Sequence, residues 1–285
     1  MKKQALAGTV ILGLTFSALS VFAQPNLVPA TVIPSGVIVN IPLTAIEVAP
    51  NVFSLGTSVD PVTGEIVQGF AFITPKDANS HKPNHTGGGS VSTATKCYSF
   101  LAQGAKWKAL ESWLMNPSNG PGLNGATLFI TQGAALEKWE DAADGVVGNG
   151  SAVQIFGAGS STDAVLVADT SSPDGKNEVY FADVSSTGAI AVTIVWGIFG
   201  GPPFGRKLVE WDQVYDDIDF NWSLTGETGK MDFDNIATHE NGHAAGMGHP
   251  DDSCAEETMY RFASFGEIKK QTLHNGDIAG INALY

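Results

Sequence analysis

Across residues 24–75 short apolar runs alternate with turn residues. Gly36 to Ile41, Ala45 to Val52 and Phe53-Ser54-Leu55 precede the turn Asp60-Pro61-Val62-Thr63-Gly64, and Ile66 to Ile73 is apolar again. This punctuation predicts a small β-rich element with at least one hairpin, either a pro-segment or accessory unit, or an extension packed on the C-terminal domain. Lys76 to Ser92 breaks the pattern, with no apolar anchor before Val91, and marks a linker over 76–95 open to proteolytic nicking. His81 and His85 stand four apart there, but Pro83 and the glycines at 87 to 89 deny them one helical face, so they read as solvated.

From Lys96 the texture is that of a mixed α/β domain over 96–285. Trp107 to Leu114 predicts a strand or short helix. Thr131 to Ala143 predicts a helix with Ala135, Leu136, Trp139 and Ala143 on one face. Ala152 to Ile155, Ala164 to Ala168, Glu178 to Ala182 and Ala189 to Trp196 read as strands. The last is almost wholly apolar, as a strand covered on both faces would be. Ile198 to Gly205, apolar yet rich in breakers, is a rim loop that either meets a ligand or packs structurally. Near the C-terminus Asp232 can N-cap a helix, Asp234 charges its first turn, and Ile236, Ala237 and Ala244 supply apolar surface.

The N-terminus adds a compartment. Lys2 and Lys3, an apolar Ala5 to Val21 and the small-residue site Val21-Phe22-Ala23 before Gln24 predict a signal peptide over residues 1–23, cut after Ala23, and hence secretion to an extracellular or periplasmic space. No other apolar run reaches the ~18 residues of a membrane span. The formal net charge of −14 becomes more negative once the two lysines leave, which excludes nucleic acid and anionic membranes as partners and leaves oligomeric state open. At 43% hydrophobic residues the chain can bury a sizeable core. An oxidising destination favours a disulfide between its two cysteines, Cys97 and Cys254, across a long loop, worth about 2–4 kcal/mol.

The chemistry concentrates in His239-Glu240-Asn241-Gly242-His243-Ala244-Ala245-Gly246-Met247-Gly248-His249. Residues four apart share a helix face, so His239 and His243 aim at one ion and Glu240 projects beside it. Gly246 can take positive φ, end the helix and return the chain to deliver His249 as third ligand. Three nitrogens leave a fourth position for water, the catalytic form of a zinc site, with Glu240 taking the water's proton. With 6 histidines and 33 glycines in 285 residues, composition alone yields the HExxH part at roughly 0.005 per chain and the eleven-residue pattern at on the order of 10⁻⁵. Asp251 and Asp252 follow at once, so a carboxylate replacing or joining His249 stays open. Asp212, Asp216, Asp217 and Asp219 form an acidic cluster, readable as a calcium site or as a solvated strand edge.

These residues resemble the zinc signature of the metzincins, and their surroundings the matrixin branch. Thr258-Met259-Tyr260 is similar to the methionine turn, and residues 275–285 to the closing helix. Leu136-Glu137-Lys138-Trp139 is similar to the first helix, and residues 217–221 to the strand before the zinc helix. Pro250 and Arg261 depart from the residues matrixins usually carry there. The resemblance, over roughly residues 105–285, implies an α+β fold: a zincin-like mixed sheet with the HExxH helix and a Met-turn, preceded by the β-rich N-terminal segment. It further implies Met259 as the hydrophobic floor, and Ala191, Val192, Thr193, Ile194 and Val195 as the strand along which substrate adds. Cys97 acquires a rival role, a switch thiolate on the zinc, although Lys96-Cys97-Tyr98 lacks the flanking pattern of that switch.

The resulting expectation is a secreted zinc endopeptidase acting on protein or peptide substrates. A non-catalytic binding protein of the same fold, a zinc hydrolase of a non-peptide amide, and an exported adhesive β protein stay open beside it.

Overall fold

The computed structural model describes residues 38–77 and 96–285. The predicted signal peptide, nearly all of the predicted linker, and His81 and His85 lie outside the described residues. The described chain runs through β1 (Ile38–Val39), β2 (Ile46–Ala49), β3 (Val52–Val59), β4 (Ile66–Pro75), β5 (Ser99–Phe100), β6 (Trp113–Met115), α1 (Gly125–Ala142), β7 (Gly159–Ser161) and β8 (Asn177–Val184). It continues through β9 (Ala189–Ile198), β10 (Lys207–Asp216), β11 (Trp222–Ser223), β12 (Met231–Asp232), α2 (Phe233–Ala244), β13 (Met247–Gly248) and α3 (Asn275–Leu284).

The main sheet is mixed, in the order β2-β3-β4-β9-β10-β8-β6-β7, with β1 also on β8. β7, β6, β8 and β10 are parallel to one another, whereas β9 runs antiparallel to β10 on one side and to β4 on the other. The expected α+β class is the one the chain adopts. Residues 38–75 are not set apart from the later strands: β4 pairs with β9 from Gln68↔Gly197 to Pro75↔Ala189.

The almost wholly apolar composition of β9 follows from its two neighbours in depth. On one face Ala191 and Val195 join Trp139, Trp211, Tyr215, Phe233 and Ile236 beneath the helices. On the other, Val192, Ile194 and Trp196 pack with Val67, Ala71, Ile73 and Val214. Burying two faces removes water from every side chain of the strand but Ile198, which stabilises by about 1.5–3 kcal/mol for each fully covered large aliphatic. α1 docks on α2 through Trp139, whose indole Nε1 donates to the Thr238 carbonyl at 2.8 Å, and through Lys138, which pairs with Asp234 at 2.5 Å.

Several predicted strands are not strands. Over Ala152–Ile155 the Val153 amide donates to the Glu140 carbonyl, and Ile155 and Phe156 donate to the Glu140 carboxylate at 2.7 and 2.9 Å. Over Ala164–Ala168 the Val167 amide goes to Glu178 and the Ala168 amide to the Tyr180 hydroxyl, both at 2.8 Å. Acceptors from α1 and β8 thus capture amides that a ladder would need. Residues 217–221 are likewise a turn: the Asp216 carboxylate accepts from Ile218 at 2.9 Å and Asp219 at 2.7 Å and curls the chain out of β10. In Trp107–Leu114 only the end is strand, while the Trp107 indole is anchored on the Ala244 carbonyl at 2.8 Å.

Candidate metal centre

α2 begins where Asp232 accepts the Asn235 amide at 3.0 Å, and its first turn carries Asp234. The helix is buried almost throughout, and its inner face presents His239, Glu240 and His243, each fully buried. Gly246, at φ +102, ends it in the conformation open to glycine. β13 then pairs with β5, Met247 opposite Phe100 and Gly248 opposite Ser99, and sets His249 across from the two helical histidines.

One ring nitrogen from each of His239, His243 and His249 lies within 4.8 Å of the others. The tautomers suit a cation. His239 Nδ1 is 2.6 Å from the Thr258 carbonyl and His243 Nδ1 is 2.9 Å from the Met247 carbonyl, and a carbonyl only accepts. Each Nδ1 therefore carries the proton, and the Nε2 lone pairs face inward. His239 Nε2 is buried without a partner, and His243 Nε2 faces His249 Nε2 at 3.1 Å. Burial, reinforced by the Lys270 ammonium, holds His239 and His249 neutral well below their ordinary range, and burial brings His243 down to about 3. Neutral imidazoles with inward lone pairs fit a zinc ion. Asp251 and Asp252 are engaged elsewhere, the former by Ser253 and the latter by Arg261, so neither joins the triad.

Beside the histidines Glu240 has one engaged and one unengaged oxygen. Its Oε2 accepts from the Thr193 hydroxyl at 2.6 Å, and its Oε1 is buried without a partner. Burial raises its pKa to about 7, against the hydroxyls of Thr193 and Thr74, which lower it. Gln132 of α1, Gln213 of β10 and Asn241 of α2 form a buried amide network at 2.9–3.0 Å that locks the helix against the sheet one residue from Glu240.

Met259 lies beneath α2. A Cβ on Gly242 would stand 2.2 Å from the Met259 sulfur, so the glycine between the histidines is what lets the methionine approach. The turn is pinned by Asp277 of α3, which accepts the Thr258 amide at 2.7 Å and the Met259 amide at 3.2 Å. Cys97 and Cys254 are joined in a disulfide, and no cysteine is free. Of the rim loop, Phe199 packs on Phe70 whereas Phe204 is exposed.

In the expected substrate strand, Ala191–Val195 is bonded to β10 on one edge and to β4 on the other, so β9 presents no free edge in this structure. The acidic cluster differs from expectation. Asp212 accepts from Asp169 and Glu178, Asp216 from Val184, Ile218 and Asp219, and Asp217 from Gly120. Carboxylate oxygens converge instead at Asp169, Asp174 and Glu210, within 4.8 Å of one another. There Asp169 Oδ2 and Glu210 Oε1 are buried and unpartnered.

Sequence reasoning placed Thr193 only in the substrate strand, not on Glu240, and did not find Asp277 or Lys270 as parts of the site. Lys270 is fully buried, donates to the Tyr260 carbonyl and lies 3.2 Å from His239 Nδ1. Burial brings its pKa down to about 8. Nothing in local sequence marks a lysine or an aspartate that acts across so many residues.

With the third histidine reached through a turn and a methionine packed under the helix, fold and site resemble those of a metzincin. Residues 204–285 match the Peptidase_M10 family, Matrixin. Metalloendoproteinase 2-MMP of Arabidopsis thaliana is 37% identical over 76 residues, 24% of this chain and 19% of that protein. The chain thus spans less than a fifth of the length of this curated relative, and over the matched stretch it is matrixin-like.

Proposed function

We propose that this chain is an exported zinc-dependent endopeptidase in which His239, His243 and His249 hold the metal and Glu240 is the general base. The observation that carries this reading is the convergence of three neutral, inward-facing imidazoles beside the unpartnered Glu240 Oε1. Zinc, when bound, polarises the scissile carbonyl and makes water acidic enough to yield a proton near neutral pH. Glu240 takes that proton on Oε1 while Thr193 holds Oε2, then passes it to the leaving amine. Met259 supports the helix from below, and an extended peptide bonds by its main chain to Ala191–Val195 once that edge is free. Glu240→Gln is the test: zinc content stays near one per chain and peptide cleavage is lost by on the order of a hundredfold or more. Full activity in that variant sinks the mechanism, and zinc without cleavage in the native chain, its β9 edge freed, favours a binding protein.

A second cation, calcium, is assigned to Asp169, Asp174 and Glu210. What supports this reading is Glu210, only 1% exposed, whose Oε1 meets the other carboxylates and no amide, hydroxyl or cationic side chain. Hard cations favour such oxygen sets.

A further inference from the structure

We propose that β4 is a resident peptide ligand: the chain's own residues 70–77 fill the substrate groove and keep the metal centre latent until the connection after Asp77 is cut. This latency presupposes that the centre is a peptidase.

An extended peptide can add only to a strand with an unpaired row of amides and carbonyls. β9 is such a strand only without β4, which runs antiparallel along it from Gln68 to Pro75. Past the end of the ladder the segment also bonds to the opposite wall. The Lys76 amide donates to Gly188 at 2.9 Å, while Asp77 donates to the Ala263 carbonyl at 2.9 Å and Ala263 donates back to Pro75 at 3.3 Å. Residues 75–77 therefore lie between the end of β9 and a segment four residues past Met259, bonded on both sides as a bound peptide would be.

The side chains of β4 add to this cover and leave His249 the one partly exposed histidine of the three. Phe72 stacks on the His243 ring at 4.4 Å and meets His249 edge-on at 6.2 Å. Thr74, fully buried, turns its hydroxyl toward the Glu240 carboxylate without a well-formed bond of its own. Gly69 leaves room for Trp196, since a Cβ there would stand 2.6 Å from the indole. The complete burial of His239, Glu240 and His243 includes this cover. A thiolate is not the blocking group, because Cys97 and Cys254 are bonded to each other. Cys97 also follows the linker, so a cut before it leaves residues 38–77 held without a covalent link, by the β4–β9 and β1–β8 ladders, the Glu65–Lys207 pair and packing.

The test uses the whole chain with a site-specific protease sequence inserted between Asn84 and His85, compared intact and nicked. A fluorescent peptide of residues 66–77 should exchange into the nicked chain and not the intact one. A peptide hydroxamate should bind the zinc-loaded nicked chain on the order of tenfold or more tightly than the intact chain, because the binding-competent fraction rises. Should nicking unfold the protein by circular dichroism, Lys76→Pro in the uncut chain takes its place: it removes the amide bond to Gly188 with an exposed side chain, and should raise hydroxamate binding. Equal hydroxamate binding by the intact and opened chains overturns the inference. Opened chain that binds hydroxamate but cleaves no peptide keeps the resident strand and removes the peptidase reading.

Discussion

The Thr193 hydroxyl donates to Glu240 at 2.6 Å, joining the middle of β9 to the metal-centre helix α2. This bond orients one carboxylate oxygen and leaves the other free. Thr193→Val keeps the shape and removes the donor. Zinc content should be unchanged and kcat/KM of the nicked chain should fall by about tenfold, mostly in kcat, as expected for loss of a hydrogen bond to a charged group. An unchanged kcat would remove Thr193 from the mechanism.

Asp277 pins the Met-turn, and the Thr258 carbonyl of that turn holds His239. Asp277→Ala should cost about 2–3 kcal/mol in denaturant unfolding and weaken zinc binding by about 10–100-fold, since the His239 ring loses its orientation. Competition against a chelator of known affinity reads the second effect.

Gly242→Ala drives a methyl into the Met259 sulfur and the Trp139 ring. A loss of about 1–3 kcal/mol is expected in thermal unfolding. Met259→Ala in the same chain should recover part of it, giving a double-mutant coupling of about 0.5 kcal/mol or more.

Burial raises Glu210 from 4.5 to about 9, so the folded chain keeps a proton that the unfolded chain releases. That contribution is full below pH 4.5 and is lost as pH rises through about 9. In chelator, the melting temperature should therefore decline across this window. Calcium should offset the decline increasingly with pH, and Glu210→Gln should abolish the calcium effect. Calcium stabilisation that survives in the variant places the ion elsewhere.

Reducing the Cys97–Cys254 bond should lower stability by about 2–5 kcal/mol without opening the site. A thiol reagent that switches on cleavage in the uncut chain would instead revive the switch role for Cys97.

The site helix was legible because its determinants are local. The four-residue spacing of His239 and His243, the Asp232 cap and the glycine at 246 act within a few residues, where backbone geometry leaves few choices. The apolar run of β9 announced burial on both faces for the same reason. Its pairing partner was not legible, since both a substrate strand and β4 satisfy the same row of amides. Ala152–Ile155 and Ala164–Ala168 show the reverse error: strand-like composition lost to the Glu140 and Glu178 carboxylates and the Tyr180 hydroxyl, which only folding brings near.

By itself, then, the sequence determined the α+β class, His239 and His243 on one helix face with Glu240 beside them and a turn to bring back His249, and the two cysteines available to pair. Tertiary structure alone decided that Thr193 and Asp277 orient the centre, that Lys270 is buried against it, and that β4 lies across it. The reason is physical: helix periodicity and caps are read within a turn or two, whereas strand pairing and buried polar contacts are chosen by competition among groups far apart in the chain.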